Sequence, residues 1–252
     1  MKNIKLLIEY DGTCYHGFQR QPEFHGPTIQ GILEERLRNI TAENVKLAAA
    51  GRTDAGVHAL GQVVNFHSDT RIPLDKLPKA VNSLLPYDIR VKRADYVPET
   101  FNARFSACCK RYRYSVYNST ISSAFHRLYS YHVPQVLNVE DMREGARLMV
   151  GRKDFRAFCA SGSPIKDFVR TLTHCEVRQE GPLITIDCQG DGFLYNMVRI
   201  ISGTLLDIGK GRIKPSEIPG IISSQDRTLG GVTAPSHGLC LMHVEYNEGK
   251  IT

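Results

Sequence analysis

The chain has 252 residues, with 32 Lys plus Arg against 26 Asp plus Glu, for a formal net charge of +6. Its 42% hydrophobic and 23% charged residues exclude a disordered polypeptide, and 21 Gly with 12 Pro in no short period exclude a collagen-like repeat. At about 150 residues per domain the length suits one large domain or two intimate ones, with enough core to need no staples.

No run approaches the roughly 18 apolar residues that would span a membrane, so no membrane partner is expected. Met1-Lys2-Asn3-Ile4-Lys5-Leu6 reads as a first strand rather than a signal peptide. Seven cysteines, with no CxxC spacing, argue against a disulfide framework and a zinc knuckle. They fit small buried thiols in a reducing, cytoplasmic setting.

Ile4 to Tyr10 is a short apolar run that stops at the turn signal Asp11-Gly12. Thr28 caps a helix on which Ile29, Ile32, Leu33, Leu37 and Ile40 recur, with Glu34, Glu35 and Arg38 on the other face. Val45 to Ala50 reads as a strand, followed by the loop Gly51-Arg52-Thr53-Asp54-Ala55-Gly56. Gln62 to His67 is a strand, Leu74 to Leu85 a helix stopped by Pro86, and Asp88 to Tyr96 a strand. Arg111 to Tyr117 alternates like a strand, and Asn138 with Asp141 resembles a capping box opening a helix to about Val150. Arg170 to Gln179 and Leu183 to Cys188 form a hairpin turning at Glu180-Gly181-Pro182. A helix over Phe193 to Ile208 and a strand near Cys240 to Tyr246 complete a mixed α/β chain. Strand, then Asp-Gly, then helix occurs twice, at Asp11-Gly12 and Asp191-Gly192, and no Gly/Ser linker separates the halves.

There is no HExxH, GxxxxGK[ST], GxSxG or GxGxxG motif, and no histidine pair at metal-ligand spacing. Metal, ATP and hydride chemistry therefore lose ground to cofactor-free chemistry. Lys110-Arg111-Tyr112-Arg113-Tyr114 mixes cations with aromatic rings, which suits either an RNA surface or a solvated strand edge.

Three residues stand out. Asp54 lies in a loop bracketed by Gly51 and Gly56, two residues beyond Arg52; it is a reactive carboxylate or a surface Asx-turn. Arg199 sits on a helix apolar almost all round, where an unpaired charge would cost several kcal/mol (order of magnitude), so it needs a carboxylate or a snorkelling route to water. Asp187, Asp191, Asp207 and Asp54 are the candidate partners. Tyr112 is either a stacking platform for a base or the inward face of an amphipathic strand shared with Tyr114.

Gly51-Arg52-Thr53-Asp54-Ala55-Gly56-Val57-His58-Ala59 resembles the catalytic motif of the tRNA pseudouridine synthase A family. Lys110-Arg111-Tyr112-Arg113-Tyr114 resembles its tyrosine motif, and Asn196-Met197-Val198-Arg199 its arginine motif. Tyr10-Asp11-Gly12, Gly17-Phe18-Gln19-Arg20-Gln21, Phe101 to Ala107 and Thr233-Ala234-Pro235 are similar to that family too, with Phe18 where tryptophan is common.

The resemblance implies a cofactor-free, metal-free isomerisation of uridine to pseudouridine at positions 38, 39 and 40 of the tRNA anticodon stem-loop. It implies Asp54 as nucleophile, by attack at C1′ or by a glycal route, with Arg199 paired to it. Arg52 would help displace the base, and Tyr112 would stack on it. Arg20, Arg104, Lys110 and Arg111 are the expected phosphate contacts. The implied fold is α+β: two similar halves sharing a bent, largely antiparallel sheet flanked by helices, with a cleft between the halves. The expected division is 1–105, carrying the Asp loop, and 106–252, carrying the Tyr and Arg motifs. A homodimer is implied by the family and by nothing else in the sequence. The rival readings are a non-catalytic RNA-binding protein, a synthase with another RNA target, and a hydrolytic glycosidase lacking its second acid.

Overall fold

The computed structural model describes residues 1–21, 26–162 and 165–247. Ten strands in largely antiparallel ladders, flanked by five α-helices, make up the described α+β chain. It divides into two compact units, Met1–Cys108 with the chain from Leu241 onward, and Cys109–Cys240.

In the first unit β1 (Lys2–Tyr10) pairs antiparallel with both β3 (His58–Ser68) and β4 (Ile89–Val97). The short β2 (Ala48–Ala49) adds to β3. Alternate β1 residues Ile4, Leu6, Ile8 and Tyr10 are buried, as a strand with one core face requires. Helix α1 (Ile29–Thr41) begins where Thr28 accepts the Gly31 N–H, as the sequence predicts. Helix α2 (Leu77–Asn82) is shorter than the expected Leu74 to Leu85. The last strand, β10 (Leu239–Tyr246), serves the first unit through its end: the Tyr246 hydroxyl donates to the Ala103 carbonyl, and its ring packs on Phe101 at 5.0 Å.

Glu34 departs from its expected solvent face and is buried. Its carboxylate accepts the Leu47 N–H at 3.0 Å and the Gln30 amide at 2.9 Å, so it caps a backbone donor that β2 is too short to satisfy.

In the second unit the strand order is β5-β9-β8-β7, with β6 (Tyr131–Val133) parallel to β5. These are β5 (Ala107–Asn118), β7 (Gly151–Asp154), β8 (Val169–Glu180) and β9 (Leu183–Gly190). The β8–β9 hairpin turns at Gly181, whose φ of +58° suits glycine. Helix α3 (Val139–Met149) is capped by Asn138, which accepts the Asp141 N–H as the capping pattern predicts. Helix α4 (Met197–Gly209) is almost wholly buried and starts four residues later than expected, because Asn196 takes a left-handed φ of 59°. The short α5 (Ile218–Ser224) follows it.

The buried Asp187 of β9 ties two strands together. Arg113, directly opposite on β5, gives it two hydrogen bonds at 3.1 and 3.0 Å, and Arg111 adds another at 3.3 Å. All seven cysteines are free, but only Cys159, Cys175 and Cys188 are buried; Cys14 is exposed, contrary to the uniformly buried set expected.

Two predictions follow from this packing. Asp187→Ala leaves Arg111 and Arg113 without their shared acceptor and should cost about 3–5 kcal/mol in urea unfolding; an unchanged midpoint would dismiss the anchor. Gly203→Ala puts a Cβ 1.8 Å from the Val232 carbonyl oxygen, so it should destabilise by about 1–3 kcal/mol or more. A thermal melt equal to wild type would show that the 231–234 segment yields freely.

Candidate active-site elements

The loop 51–57 has no ladder of its own, so its backbone needs partners from elsewhere. The segment after β1 supplies them. The Thr53 carbonyl accepts the Phe18 N–H at 3.0 Å, and the Gly56 N–H donates to the Tyr15 carbonyl at 3.3 Å. The Asp54 carbonyl accepts the Val57 N–H at 3.1 Å, closing a turn directly after the carboxylate-bearing residue. The Gln62 amide of β3 donates to the Gly51 carbonyl at 2.8 Å.

The approach is close enough to fix residue types. A Cβ on Gly12 would lie 2.0 Å from the Val57 oxygen, and one on Gly17, at φ +89°, 2.8 Å from the Thr53 oxygen. Side chains complete the lock. The buried Tyr10 hydroxyl lies 2.8 Å from Thr53 Oγ1, and His58 Nδ1 lies 3.1 Å from both the Gly12 N–H and the Asp11 carboxylate. The Tyr15 hydroxyl donates to Asp88 at 2.5 Å; burial and that carboxylate raise its pKa well above the ordinary phenol value.

On this frame Asp54 is partly exposed and Arg52 exposed. Arg20 is exposed at its head, with Nη1 3.8 Å from Glu34. Arg104 is exposed and lies over the Phe105 ring at 5.5 Å; that ring is 78% exposed, so cation and aromatic face water together.

The second unit carries the other candidates. Tyr112 is only 7% exposed, on the inward face of β5 with Tyr114 and Val116, and its ring meets Phe193 edge-on at 5.1 Å. Lys110 is partly exposed on the same strand, while the Arg111 guanidinium is tied to Asp187. Thus the alternating basic–aromatic motif splits by strand geometry: tyrosines inward, arginines on the opposite face.

Arg199 leaves α4 with a fixed guanidinium. Nε donates to the Ala234 carbonyl and Nη1 to Asn196 Oδ1, both at 2.8 Å. The Ala234 N–H returns to the Arg199 carbonyl at 3.1 Å, and the Tyr114 hydroxyl donates to the Pro235 carbonyl at 2.9 Å. Burial raises the Tyr114 phenol well above its ordinary pKa. Arg227 donates to the Gly231 carbonyl and to Thr233, and burial lowers its pKa. These contacts give the Thr233-Ala234-Pro235 motif its physical role: it buttresses the arginine.

Of the carboxylates named as partners for Arg199, three are engaged within the second unit. Asp187 holds two arginines, Asp207 lies 3.2 Å from Arg212, and Asp191 accepts the Thr171 N–H at 3.0 Å. Sequence reasoning gave no structural role to Phe193 or Arg227, named Asp187 only as a candidate partner of Arg199, and placed Tyr10 only in a motif. The partners of Asp187 and Phe193 lie on β5, more than seventy positions away in the chain, whereas those of Arg227 are only four and six residues on, in a segment without periodic signal.

Among the described residues no helix is long and apolar enough to cross a membrane. A family model described as tRNA pseudouridine synthase matches residues 6–106 and 146–247. Proteins named tRNA pseudouridine synthase A from Moorella thermoacetica and Geotalea daltonii are each 48% identical over 246 residues, covering 98% of this chain and all of theirs. The protein of that name from Caldicellulosiruptor saccharolyticus is 47% identical over the same length, with the same coverage. The family model takes in the Asp54 loop and the Arg199 helix, and the relatives match the chain almost throughout; the chain belongs to the tRNA pseudouridine synthase family, whose members are isomerases.

Proposed function

We propose that this protein isomerises uridine to pseudouridine at positions 38, 39 and 40 of the tRNA anticodon stem-loop, without a cofactor. The observation that carries the reading is the Asp54 loop. A partly exposed carboxylate follows a residue held through its carbonyl and its hydroxyl, in a chain whose relatives are named tRNA pseudouridine synthase A.

In this reading Asp54 is the nucleophile. The N1–C1′ bond of the uridine breaks, the uracil turns, and C5 joins C1′; the proton leaves C5 and one returns to N1, so no redox partner or water is consumed. One carboxylate suffices for such a balance, whereas hydrolysis of a glycoside takes two. In this reading Arg199 is the cation assigned to that carboxylate.

Tyr112 offers its ring to the target base, and Arg52 fills the place the base vacates. Turning a base out of its stack costs a few kcal/mol (order of magnitude), which phosphate contacts offset. Arg20, Arg104 and Lys110 supply them, with Arg111 adding the face that Asp187 leaves open; its side chain is 39% exposed. The active protein is a homodimer in the cytoplasm.

The deciding experiment incubates wild-type and Asp54→Ala protein with unmodified tRNA carrying uridines at 38 to 40, and maps pseudouridine along the RNA. Signal at those positions from wild type alone is expected, with tRNA affinity of the variant within about threefold. Comparable activity in Asp54→Ala overturns the nucleophile, pseudouridine elsewhere moves the target, and tight binding without product favours a non-catalytic binder.

Affinity for tRNA should also fall steeply with salt, by about 0.7–0.9 logarithmic units per decade of salt for each phosphate neutralised. A flat dependence in filter binding would remove Arg20, Arg104 and Lys110 from the interface.

A further inference from the structure

A buried hydrogen bond at the Asp54 loop joins two hydroxyls, and neither belongs to a group that the proposed reaction uses. Tyr10 is 3% exposed and Thr53 is 7% exposed, with 2.8 Å between their oxygens. The root of Tyr10 is held in two ladders at once, opposite Ala59 on β3 and Ile89 on β4. Its ring packs on Phe18 at 6.2 Å, and the Phe18 N–H takes the carbonyl of the same Thr53. Residue 53 is thereby held at its side chain and at its carbonyl by two neighbouring, rigidly placed residues.

We propose that the Tyr10–Thr53 hydroxyl pair is a positioning device for Asp54, setting where its carboxylate stands rather than how stable the fold is. The inference rests on the reading of Asp54 as nucleophile. The backbone bonds hold the 53–54 peptide through its carbonyls alone, and one hydrogen bond at a carbonyl leaves a residue free to shift about it. The hydroxyl bond closes that freedom, because it ties the Thr53 side chain to a strand that cannot move with the loop.

A bond of this kind is a poor source of stability. Removing both partners and keeping their shapes is nearly neutral, whereas removing one strands the other. Tyr10→Phe and Thr53→Val are the isosteric changes. Geometry is where the loss should appear, since a misplacement near 1 Å can cost about 100-fold in rate.

The test measures single-turnover pseudouridine formation, tRNA affinity and urea unfolding for Tyr10→Phe, Thr53→Val, the double variant and Thr53→Ser. The expected result is a double variant of near wild-type stability and tRNA affinity whose rate falls between about 10- and 100-fold. Each single variant should fall comparably in rate, so that the losses do not add, and Thr53→Ser should keep most of the rate. A double variant with wild-type turnover overturns the proposal, as do rates that track stability across the four proteins. Asp54→Ala runs beside them. If it stays active, both the nucleophile and its positioning fail; if it is dead while the double variant is fully active, the positioning alone fails. Should Thr53→Val not fold, Tyr10→Phe against Thr53→Ser makes the same distinction.

Discussion

A loop without a ladder must borrow its hydrogen bonds, and this requirement organises the first unit. Residues 51–57 lie between β2 and β3 and form no strand pairing, yet Thr53 and Val57 are buried. Buried N–H and C=O groups left unpaired would each cost roughly 1–3 kcal/mol. The chain meets the demand by folding its own segment 10–18 against the loop, at distances only glycine permits. Gly12 and Gly17 are therefore there for space, and Gly17 for its backbone angle as well. The same closeness lets Tyr10 and His58 reach across and complete the frame.

The second unit solves a different problem, that of placing cations on an apolar framework. Asp187 has 1% of its side chain exposed and answers Arg113 with both oxygens. Such a pair contributes little net stability over an apolar replacement, but losing one partner is costly. It does fix the register of β5 against β9, and with it the inward direction of Tyr112 and Tyr114. A formal charge of +6 thus overstates the charge at the surface of this motif. Cations with open heads are found elsewhere, at Arg104 beside its exposed phenylalanine and at Arg52.

How much of this is readable in the amino-acid order depends on the range of each interaction. The capping of α1 by Thr28 and of α3 by Asn138 is decided within four residues, and both are legible in the sequence. The hairpin at Gly181 is equally local. The apolar run alone starts helix α4 four residues too early, because it does not show that Asn196 turns left-handed before the helix begins. Strands β6 and β7 carry no periodic signal in three and four residues. Residue type alone sends Glu34 to solvent, and only the Leu47 N–H, thirteen positions on, explains its burial. Of the site, the motif residues can be named from order alone. What holds them cannot, since Tyr10 meets Thr53 across 43 positions and Tyr114 meets Pro235 across 121.

Arg199 shows why the long-range part matters for chemistry. A guanidinium is planar, and two of its nitrogens are already committed, Nε to the Ala234 carbonyl and Nη1 to Asn196. These two bonds together with the covalent attachment at Cδ fix the plane, and the plane fixes the direction in which the guanidinium's other donors point. The Ala234 carbonyl is in turn held, because its own N–H returns to Arg199 and the next carbonyl takes the Tyr114 hydroxyl. Lysine could supply the charge at this position but has no plane to fix and no second nitrogen to spend on the backbone. The tyrosine motif, the helix and the Thr233-Ala234-Pro235 segment are accordingly one structural unit. The arginine's direction, more than its charge, is what their packing determines.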